Sequence, residues 1–221
     1  MPLAPSQEGM VEAQEIAIVT DPPYGINYQH SGGGHGRHHR TNLQPIQGDA
    51  DPFDPAPLLT FKEVICWGAN HYAKRLPESG RWLVWNKLAG MEQYDSFSDC
   101  EIAWHSEHGP ERLFSVRWKG ICRTEEEKAN VKTHPSQKPV ALMKWCIQQL
   151  KGSGQTILDP YMGSGTTGIA CIRTGRKFIG IEICREYFEI ACERIRRELS
   201  QGQLPIVENK PAPESSLLPG M

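Results

Sequence analysis

Long apolar runs are missing from this 221-residue chain. No stretch approaches the roughly 20 consecutive apolar residues that a membrane-spanning helix needs. Met1 to Gly9 also lack the basic start and apolar centre of a secretory signal, so we expect the chain to stay in a reducing cytoplasm. The seven cysteines include no Cys-x-x-Cys pair, and their odd number argues against a disulfide framework and favours free, buried thiols.

An excess of positive charge is missing as well, because 24 basic and 26 acidic residues give a formal net charge of −2. Any contact with nucleic acid must therefore come from a local basic patch. The 38% hydrophobic and 23% charged content is that of an ordinary globular protein. We predict a single domain over residues 1–200. We expect the Pro- and Ser-rich tail at 201–221 to be disordered.

Short apolar runs bounded by turn residues predict the strands of the first half of the chain. Residues 15–20 (EIAIVT) stop abruptly at Asp21-Pro22-Pro23, which is typical of a buried strand. Further strands are predicted at 64–67, 82–85 and 101–105. A helix is predicted from near Pro139, a good first-turn residue, to Leu150.

The clearest pattern lies between residues 156 and 199. A strand (156–159), a glycine turn, a helix (166–174), a second strand (177–183) and a second helix (185 to about 199) follow one another. This alternation is that of a right-handed βαβ unit in a parallel sheet. The sequence therefore predicts an α/β fold with a doubly wound, mostly parallel sheet.

The turn in that unit, Asp159-Pro-Tyr-Met-Gly163-Ser-Gly165-Thr-Thr, places glycines and a helix N-terminus after a strand. Both features let a backbone approach a ligand closely. Glu182 ends the next strand and is placed to accept hydrogen bonds from two ribose hydroxyls. The pattern predicts a cofactor that contains a nucleoside. Because Gly163, Gly165 and Gly168 also fit G-x-G-x-x-G, it leaves a dinucleotide open, as it does a purely structural turn.

Asp21-Pro22-Pro23-Tyr24 directly follows the first predicted strand. The prolines fix two φ angles, and the residue before a proline avoids the helical region, so Asp21 is held extended. Its carboxylate and the Pro22 carbonyl form a rigid pair of acceptors. Two acceptors that bond both hydrogens of a heterocyclic amine draw it towards tetrahedral geometry and free its lone pair. We expect Tyr24 to stack on the heterocycle through its ring, with no part for its hydroxyl.

The order of these motifs, DPPY before DPxxGSGTT, resembles that of the DNA amino-methyltransferases that modify adenine N6 or cytosine N4. It is similar to the circularly permuted β group of that family, which is common in bacteria and phages. His134-Pro-Ser-Gln-Lys138-Pro139 resembles the family's HPTQKP segment. Gly180-Ile-Glu182 followed by Tyr187 and Ala191 resembles another of its elements. The resemblance spans residues 16 to 199.

The resemblance implies a Rossmann-like, S-adenosylmethionine-dependent methyltransferase fold and methylation of the exocyclic amine of a base flipped out of double-stranded DNA. Asp21 in the first motif position favours adenine N6, because the family tends to place Ser there for cytosine N4. The alternatives are a cytosine N4 enzyme, a non-catalytic derivative that binds DNA or cofactor, and a dehydrogenase that uses a dinucleotide. The oligomeric state stays open, a homodimer included.

The family's site residues carry over position by position. The base would be held by Asp21, Pro22, Pro23 and Tyr24. S-adenosylmethionine would be bound by His134, Ser136, Lys138, Asp159, Tyr161, Gly163, Ser164, Gly165, Thr166 and Glu182. In this set Lys138 is expected at the methionine carboxylate, and Ser164 and Thr166 are expected to cap the following helix. Tyr161 departs mildly from the family, which often has Phe there.

Residues 29–42 (QHSGGGHGRHHRTN) are rich in glycine and histidine without periodicity, which predicts a mobile loop. Arg37 and Arg40 in this loop are candidate contacts to DNA phosphates. Its four histidines have no cysteine partners at ligand spacing, so we predict no metal site, with zinc as the alternative. The family's Gly-Asp pair upstream of the catalytic strand has no match here, and Gly48-Asp49 is a candidate to replace it.

Overall fold

The computed structural model describes residues 16–27, 46–90, 98–119, 122–123, 136–152 and 156–201. The strands are β1 (Ile16–Thr20), β2 (Glu63–Trp67), β3 (Arg81–Asn86), β4 (Cys100–His105), β5 (Arg112–Ser115), β6 (Trp118–Lys119), β7 (Cys122–Arg123), β8 (Thr156–Asp159) and β9 (Phe178–Gly180). The α-helices are α1 (Val140–Gln149), α2 (Thr166–Thr174) and α3 (Arg185–Gln201).

Seven strands form one sheet in the order β5-β3-β4-β2-β1-β8-β9, and β6 and β7 form a separate hairpin. Pairing is parallel between β1 and β2, β1 and β8, β8 and β9, and β3 and β5. Strand β4 is antiparallel to both of its neighbours. It is therefore the one strand of this sheet that runs against the others, and the predicted mostly parallel sheet is confirmed.

The two faces of the sheet are covered differently. On one face, buried side chains of α1 and α2, such as Leu142, Met143 and Ile169, pack with Val19 and Ile65 of the central strands. The other face carries a second cluster around Ile18, Val64 and Trp104. Within the described residues this second face is covered by the segment that contains three short 3-10 helices, Leu58–Thr60, Ala69–His71 and Ala73–Arg75. Alternate residues of β1 and β2 face the two clusters, as the pleat of a strand requires.

The predicted elements agree with the structure to within a residue or two, with two differences. Strand β9 covers only Phe178–Gly180, although the apolar run predicted a strand over 177–183. Strand β5 and the β6–β7 hairpin were not predicted. Leu113 in β5 is 65% exposed, and β5 therefore lacks the buried alternation that marks a strand in a sequence.

Several sequence expectations fall outside the described residues. These are the loop at 29–42 with Arg37 and Arg40, residue His134, and the tail beyond Gln201. The single-domain boundary at 200 therefore stays a prediction. In the part of the chain that the structure describes, no helix is both long and apolar enough to cross a membrane.

Candidate active site

The two sequence motifs meet at one edge of the sheet. Strands β1 and β8 are parallel neighbours with Ile18 opposite Leu158, so their carboxyl ends coincide. Thr20, the last residue of β1, donates its hydroxyl to Asp159 Oδ1 at 2.6 Å. Both motifs therefore lie at the carboxyl ends of adjacent central strands. Ligands of open α/β sheets bind at this carboxyl edge.

Asp21 lies at this edge with its side chain 14% exposed and both carboxylate oxygens hydrogen-bonded. Oδ1 accepts a hydrogen bond from the Tyr24 hydroxyl at 2.5 Å, and Oδ2 accepts one from Lys138 Nζ at 2.6 Å. Burial raises the pKa of Asp21, and the positive charge of Lys138 opposes that rise. Each oxygen keeps a further lone pair, so the carboxylate retains capacity to accept from a ligand amine.

Lys138 is buried, with 7% of its side chain exposed, and it contacts a second acid. Its Nζ lies 3.0 Å from Glu101 Oε2 and 3.1 Å from the Tyr24 oxygen. Burial alone would lower the pKa of Lys138, but Asp21 and Glu101 together raise it. The sequence expectation placed Lys138 at a cofactor carboxylate. In the structure its partners are the acid of the DPPY motif and an acid on β4.

Glu101 is the second residue of β4 and is held from its other side by Lys87, which follows β3. Lys87 Nζ lies 3.3 Å from Glu101 Oε1. Burial works to raise the pKa of Glu101, but Lys138 and Lys87 outweigh it and the pKa is lowered. Because β4 runs antiparallel, its first residues lie at the same sheet edge as the last residues of β3. The result is a row of alternating charges: Asp21, Lys138, Glu101 and Lys87.

The ring of Tyr24 is packed by the segment that follows β2. Gly68 has φ +70°, and a Cβ at that position would collide with the Tyr24 ring. His71 stacks on Tyr24 with ring centroids 5.1 Å apart and planes 14° apart. A glycine is therefore required here both by backbone conformation and by close approach.

Asp49 supports the turn after the DPPY motif. Its Oδ1 accepts hydrogen bonds from the backbone N–H groups of Gly25 at 2.9 Å and Ile26 at 3.4 Å. Its carbonyl accepts one from Asn27 N–H at 2.7 Å. In the Gly48-Asp49 pair, the candidate for the family's Gly-Asp element, Asp49 thus binds the turn that follows the DPPY motif.

Asp159 is buried at the end of β8 and accepts three hydrogen bonds. Oδ1 accepts from the Thr20 hydroxyl and, at 3.1 Å, from Tyr161 N–H, and Oδ2 accepts from the Thr167 hydroxyl at 2.5 Å. Burial raises the pKa of Asp159 to about 6, against the lowering effect of these hydrogen bonds. Tyr161 itself is 39% exposed, and its ring meets Phe53 edge to face at 5.7 Å.

Glu182 was expected to end the second strand of the βαβ unit, but β9 ends at Gly180 and Glu182 lies two residues beyond it. Its Oε2 accepts a hydrogen bond from Gly163 N–H at 2.9 Å, and its Oε1 accepts one from Cys184 N–H at 2.8 Å. Helix α2 is capped by Gly165, which has φ +77° and no side-chain cap hydrogen bond.

The expectation that Ser164 and Thr166 cap α2 is therefore wrong. Ser164 Oγ accepts a hydrogen bond from Arg194 of α3 at 2.8 Å instead. The Thr166 hydroxyl is buried without a hydrogen-bond partner among the described residues. The residue at the cap position, 165, is a glycine because a Cβ there would come within 2.9 Å of the Ala191 side chain of α3.

A cavity of about 440 Å³ adjoins this site through His71. Its other lining residues are Pro52, Phe53, Asn70, Tyr72, Ala73, Lys74 and Arg75. Arg75 Nη1 donates to the carbonyl of Phe53 at 2.7 Å, which ties the two segments that form the cavity. The remaining predicted residue with a described position, Ser136, is half-buried two residues before Lys138.

Sequence reasoning missed Glu101, Lys87, Gly68 and His71 as neighbours of the DPPY motif. Glu101 opens a predicted strand and carries no motif. Its contact with Lys138 joins β4 to the segment before α1, and no repeating pattern of apolar residues in the sequence predicts that these two segments meet. His71 lies between two predicted strands and belongs to none of the motifs.

The family model and two relatives that match this chain are all DNA methylases or methyltransferases. A family model described as DNA methylase, covering N6 and N4 methyltransferases, matches residues 61–193. The type II methyltransferase M2.DpnII of Streptococcus pneumoniae is 44% identical over 81 residues, which is 37% of this chain and 30% of that protein. The DNA adenine methyltransferase YhdJ of Escherichia coli strain K12 is 50% identical over 62 residues, 28% of this chain and 21% of that protein.

The matched stretches thus span less than a third of either relative's own length. Among solved structures, the PvuII DNA methyltransferase, a cytosine-N4-specific protein, superposes with a TM-score of 0.53. That match covers 85% of this chain and 86% of the other, at 14% sequence identity. At that identity the likeness shows a shared fold.

Proposed function

This chain belongs to the DNA methylase family, and from that premise we propose that it methylates the exocyclic amine of a base in double-stranded DNA. We propose S-adenosylmethionine as the methyl donor and adenine N6 as the acceptor. The observation that carries the proposal is the meeting of two carboxylates at one sheet edge. Asp21, placed for the base, and Asp159, placed for the cofactor, follow adjacent strands and are linked through Thr20.

The cofactor half of the site fits a nucleoside attached to an amino acid. Asp159 ends β8, and Glu182 lies two residues after β9, the parallel neighbour of β8. The glycine turn lies between them in the chain. The buried Thr166 hydroxyl without a partner adds an unused donor and acceptor beside that turn. S-adenosylmethionine would supply an electrophilic methyl group on a positively charged sulfur. Glu182 would hold the ribose hydroxyls, and Asp159 and Tyr161 would line the pocket.

The base half of the site fits a planar amine. Asp21 keeps a free lone pair on each oxygen, and Pro22 offers a carbonyl with a fixed direction. A hydrogen bond from the amine to Asp21 strengthens as positive charge develops on the nitrogen, so it stabilises the transition state more than the bound substrate. The amine lone pair would form the new N–C bond as the C–S bond of the methyl donor broke, with the C–S electron pair staying on sulfur, and the proton lost from the amine would pass to water. The aromatic and cationic cavity beside His71 is where we place the flipped nucleotide.

Adenine is favoured over cytosine by Asp21 and by a relative named as an adenine methyltransferase, YhdJ. Cytosine N4 is the second candidate, because a cytosine-N4-specific protein shares the fold. Plasmid DNA from cells that express the chain, digested to nucleosides and analysed by mass spectrometry, separates the two. We expect N6-methyladenine with the wild type and none with Asp21→Ala. N4-methylcytosine alone would transfer the proposal to cytosine, and the absence of both from an abundant, folded protein would refute it.

We also propose a reducing, cytoplasmic location, which would bring the protein to cellular DNA. All six cysteines with described side chains are free thiols. Three of them, Cys66, Cys146 and Cys171, are buried, and burial raises the pKa of each thiol. Such thiols act as small apolar side chains rather than as nucleophiles.

A further inference from the structure

We infer that Glu101 is a positioning residue of this site, which holds the Lys138 ammonium against Asp21 so that the acid keeps one orientation towards the target amine. This inference rests on the proposed function. It also assigns Lys138 to the base half of the site. Neither role follows from the motifs, because Glu101 belongs to none of them and Lys138 was expected at the cofactor.

Lys138 Nζ makes polar contacts with three residues of the site. It donates hydrogen bonds to Asp21 Oδ2 at 2.6 Å and to the Tyr24 oxygen at 3.1 Å, and it forms an ion pair with Glu101 Oε2 at 3.0 Å. A lysine side chain has four rotatable bonds and is poorly fixed by one contact. The contacts from two separate segments locate Nζ, and Glu101 supplies the one that lies outside the DPPY motif.

The charges explain why a second acid is present. Asp21 and Lys138 would neutralise each other as an isolated pair, and Glu101 adds one more negative charge in a buried place. That charge is costly unless it is paired. Lys87, with Nζ 3.3 Å from Glu101 Oε1, provides the second pairing. Ion pairs that are wholly or partly buried are a poor way to gain stability, so their arrangement around the DPPY acid points to a role in orientation.

A consequence concerns the cofactor. Among the described residues, the hydrogen bonds and ion pairs of Lys138 Nζ are with Asp21, Tyr24 and Glu101, which all belong to the proposed base half of the site. Loss of Lys138 should therefore lower kcat and leave the affinity for the cofactor nearly unchanged. If Lys138 instead bound the carboxylate of the cofactor, its loss would weaken the affinity for the cofactor and leave kcat nearly unchanged.

The first experiment replaces the acid by its uncharged isostere, Glu101→Gln. We expect kcat on DNA at saturating S-adenosylmethionine to fall about 10- to 100-fold, since a charge-assisted contact that orients the acid is lost. The Kd for S-adenosylmethionine, measured by calorimetry, should change less than about twofold. Glu107→Gln is the matched control, because Glu107 also pairs with a lysine, Lys151 Nζ at 2.5 Å, at an exposed site. Its kcat should match that of the wild type.

The second experiment tests whether Glu101 acts through Lys138. If it does, the double variant Glu101→Gln/Lys138→Met should be no slower than Lys138→Met alone. Glu101→Asp keeps the charge on a shorter arm and should recover part of kcat. It also provides a folded variant if Glu101→Gln is unstable.

The inference is overturned if Glu101→Gln behaves like Glu107→Gln, or if the effects of Glu101→Gln and Lys138→Met multiply in the double variant. A tenfold weaker affinity of Lys138→Met for S-adenosylmethionine with normal kcat would also overturn it. A folded wild type that methylates no DNA is a different result, because it removes the proposed function itself.

Discussion

Thr20 and Asp159 connect the two halves of the site through one hydrogen bond, from the Thr20 hydroxyl to Asp159 Oδ1 at 2.6 Å. Thr20 is the residue immediately before Asp21, and Asp159 opens the glycine turn. Both side chains are buried. The bond couples the two strand ends, and so it ties the position of Asp21, the acid that we propose for the base, to that of the turn that we propose for the cofactor.

Thr20→Val tests this link with little change in shape, since Val is also β-branched and suits a strand. The variant leaves a buried carboxylate oxygen with one hydrogen bond fewer. We expect the free energy of unfolding to fall by about 1–3 kcal/mol, measured by urea denaturation at pH 7.5. The control is Thr60→Val, whose hydroxyl donates to the Pro57 carbonyl at an exposed turn. Equal stability of Thr20→Val and Thr60→Val would contradict the prediction.

Asp159→Asn should change the pH dependence of stability. The pKa of Asp159 is raised from its ordinary value of 3.8 to about 6, mainly by burial. The folded state therefore holds the proton more tightly than the unfolded state. The protonated Asp159 side chain therefore adds to the free energy of unfolding. This contribution is fully present below about pH 4 and is lost as the pH rises through 6.

We therefore expect the wild type, measured relative to Asp159→Asn by urea denaturation without ligand, to lose about 1 kcal/mol between pH 5 and pH 7.5. Above about pH 7.5 the difference between the two proteins should be constant. A difference that stays flat from pH 5 upwards would show that the pKa of Asp159 is not raised.

The sequence predicted the elements that carry the site because their signals are local. Apolar runs ending at DPPY and at the glycine turn place Thr20 and Asp159 at strand ends. The βαβ rhythm makes β8 parallel to β9, and the predicted mostly parallel sheet favours motifs that meet at its carboxyl edge. That β1 is the parallel neighbour of β8 is seen in the structure. In the structure, Ile18 of β1 pairs with Leu158 of β8, and this register places the ends of the two strands side by side.

The partners of Asp21 could not be predicted in the same way. Lys138 follows Asp21 by 117 residues, and its contact depends on how α1 is joined to the sheet. Glu101 reaches the site only because β4 runs antiparallel, which brings its first residues to the edge where β3 ends. No alternation of polar and apolar residues specifies that direction. The Gly165 cap was missed because Ser164 and Thr166 are better cap residues by type, but contact with Ala191 selects glycine.

Arg37 and Arg40 carry the prediction about DNA phosphates, which comes from the sequence of residues 29–42. Arg37→Ala/Arg40→Ala should flatten the plot of the logarithm of DNA affinity against the logarithm of salt concentration. Each lost phosphate contact lowers the slope by about 1. The control Lys62→Ala/Lys151→Ala also removes two positive charges, but near the opposite edge of the sheet, beside Glu63 at the start of β2. It should leave the slope unchanged. If both double variants have the same slope, the loop does not contact the DNA backbone.

Tyr24→Phe gives the clearest contrast between sequence and structure. Stacking alone predicts that Phe would replace Tyr24 at no cost. In the structure the Tyr24 hydroxyl donates to Asp21 Oδ1 at 2.5 Å and accepts from Lys138 Nζ at 3.1 Å. Tyr24→Phe should therefore release one oxygen of the acid and lower kcat about tenfold or more, since a hydrogen bond to a charged group contributes about 1.5–3 kcal/mol.

The affinity of Tyr24→Phe for S-adenosylmethionine should not change, because the hydrogen-bond partners of the hydroxyl among the described residues are Asp21 and Lys138. Tyr161→Phe is the comparison, since the family often carries Phe at that position and Tyr161 is 39% exposed. Single-turnover methylation of a DNA duplex, with enzyme and cofactor in excess, measures the chemical step in both variants. We expect Tyr161→Phe to react at nearly the wild-type rate and Tyr24→Phe to be slow. Equal rates would mean that the hydroxyl, although hydrogen-bonded to Asp21, does not help to orient it for reaction.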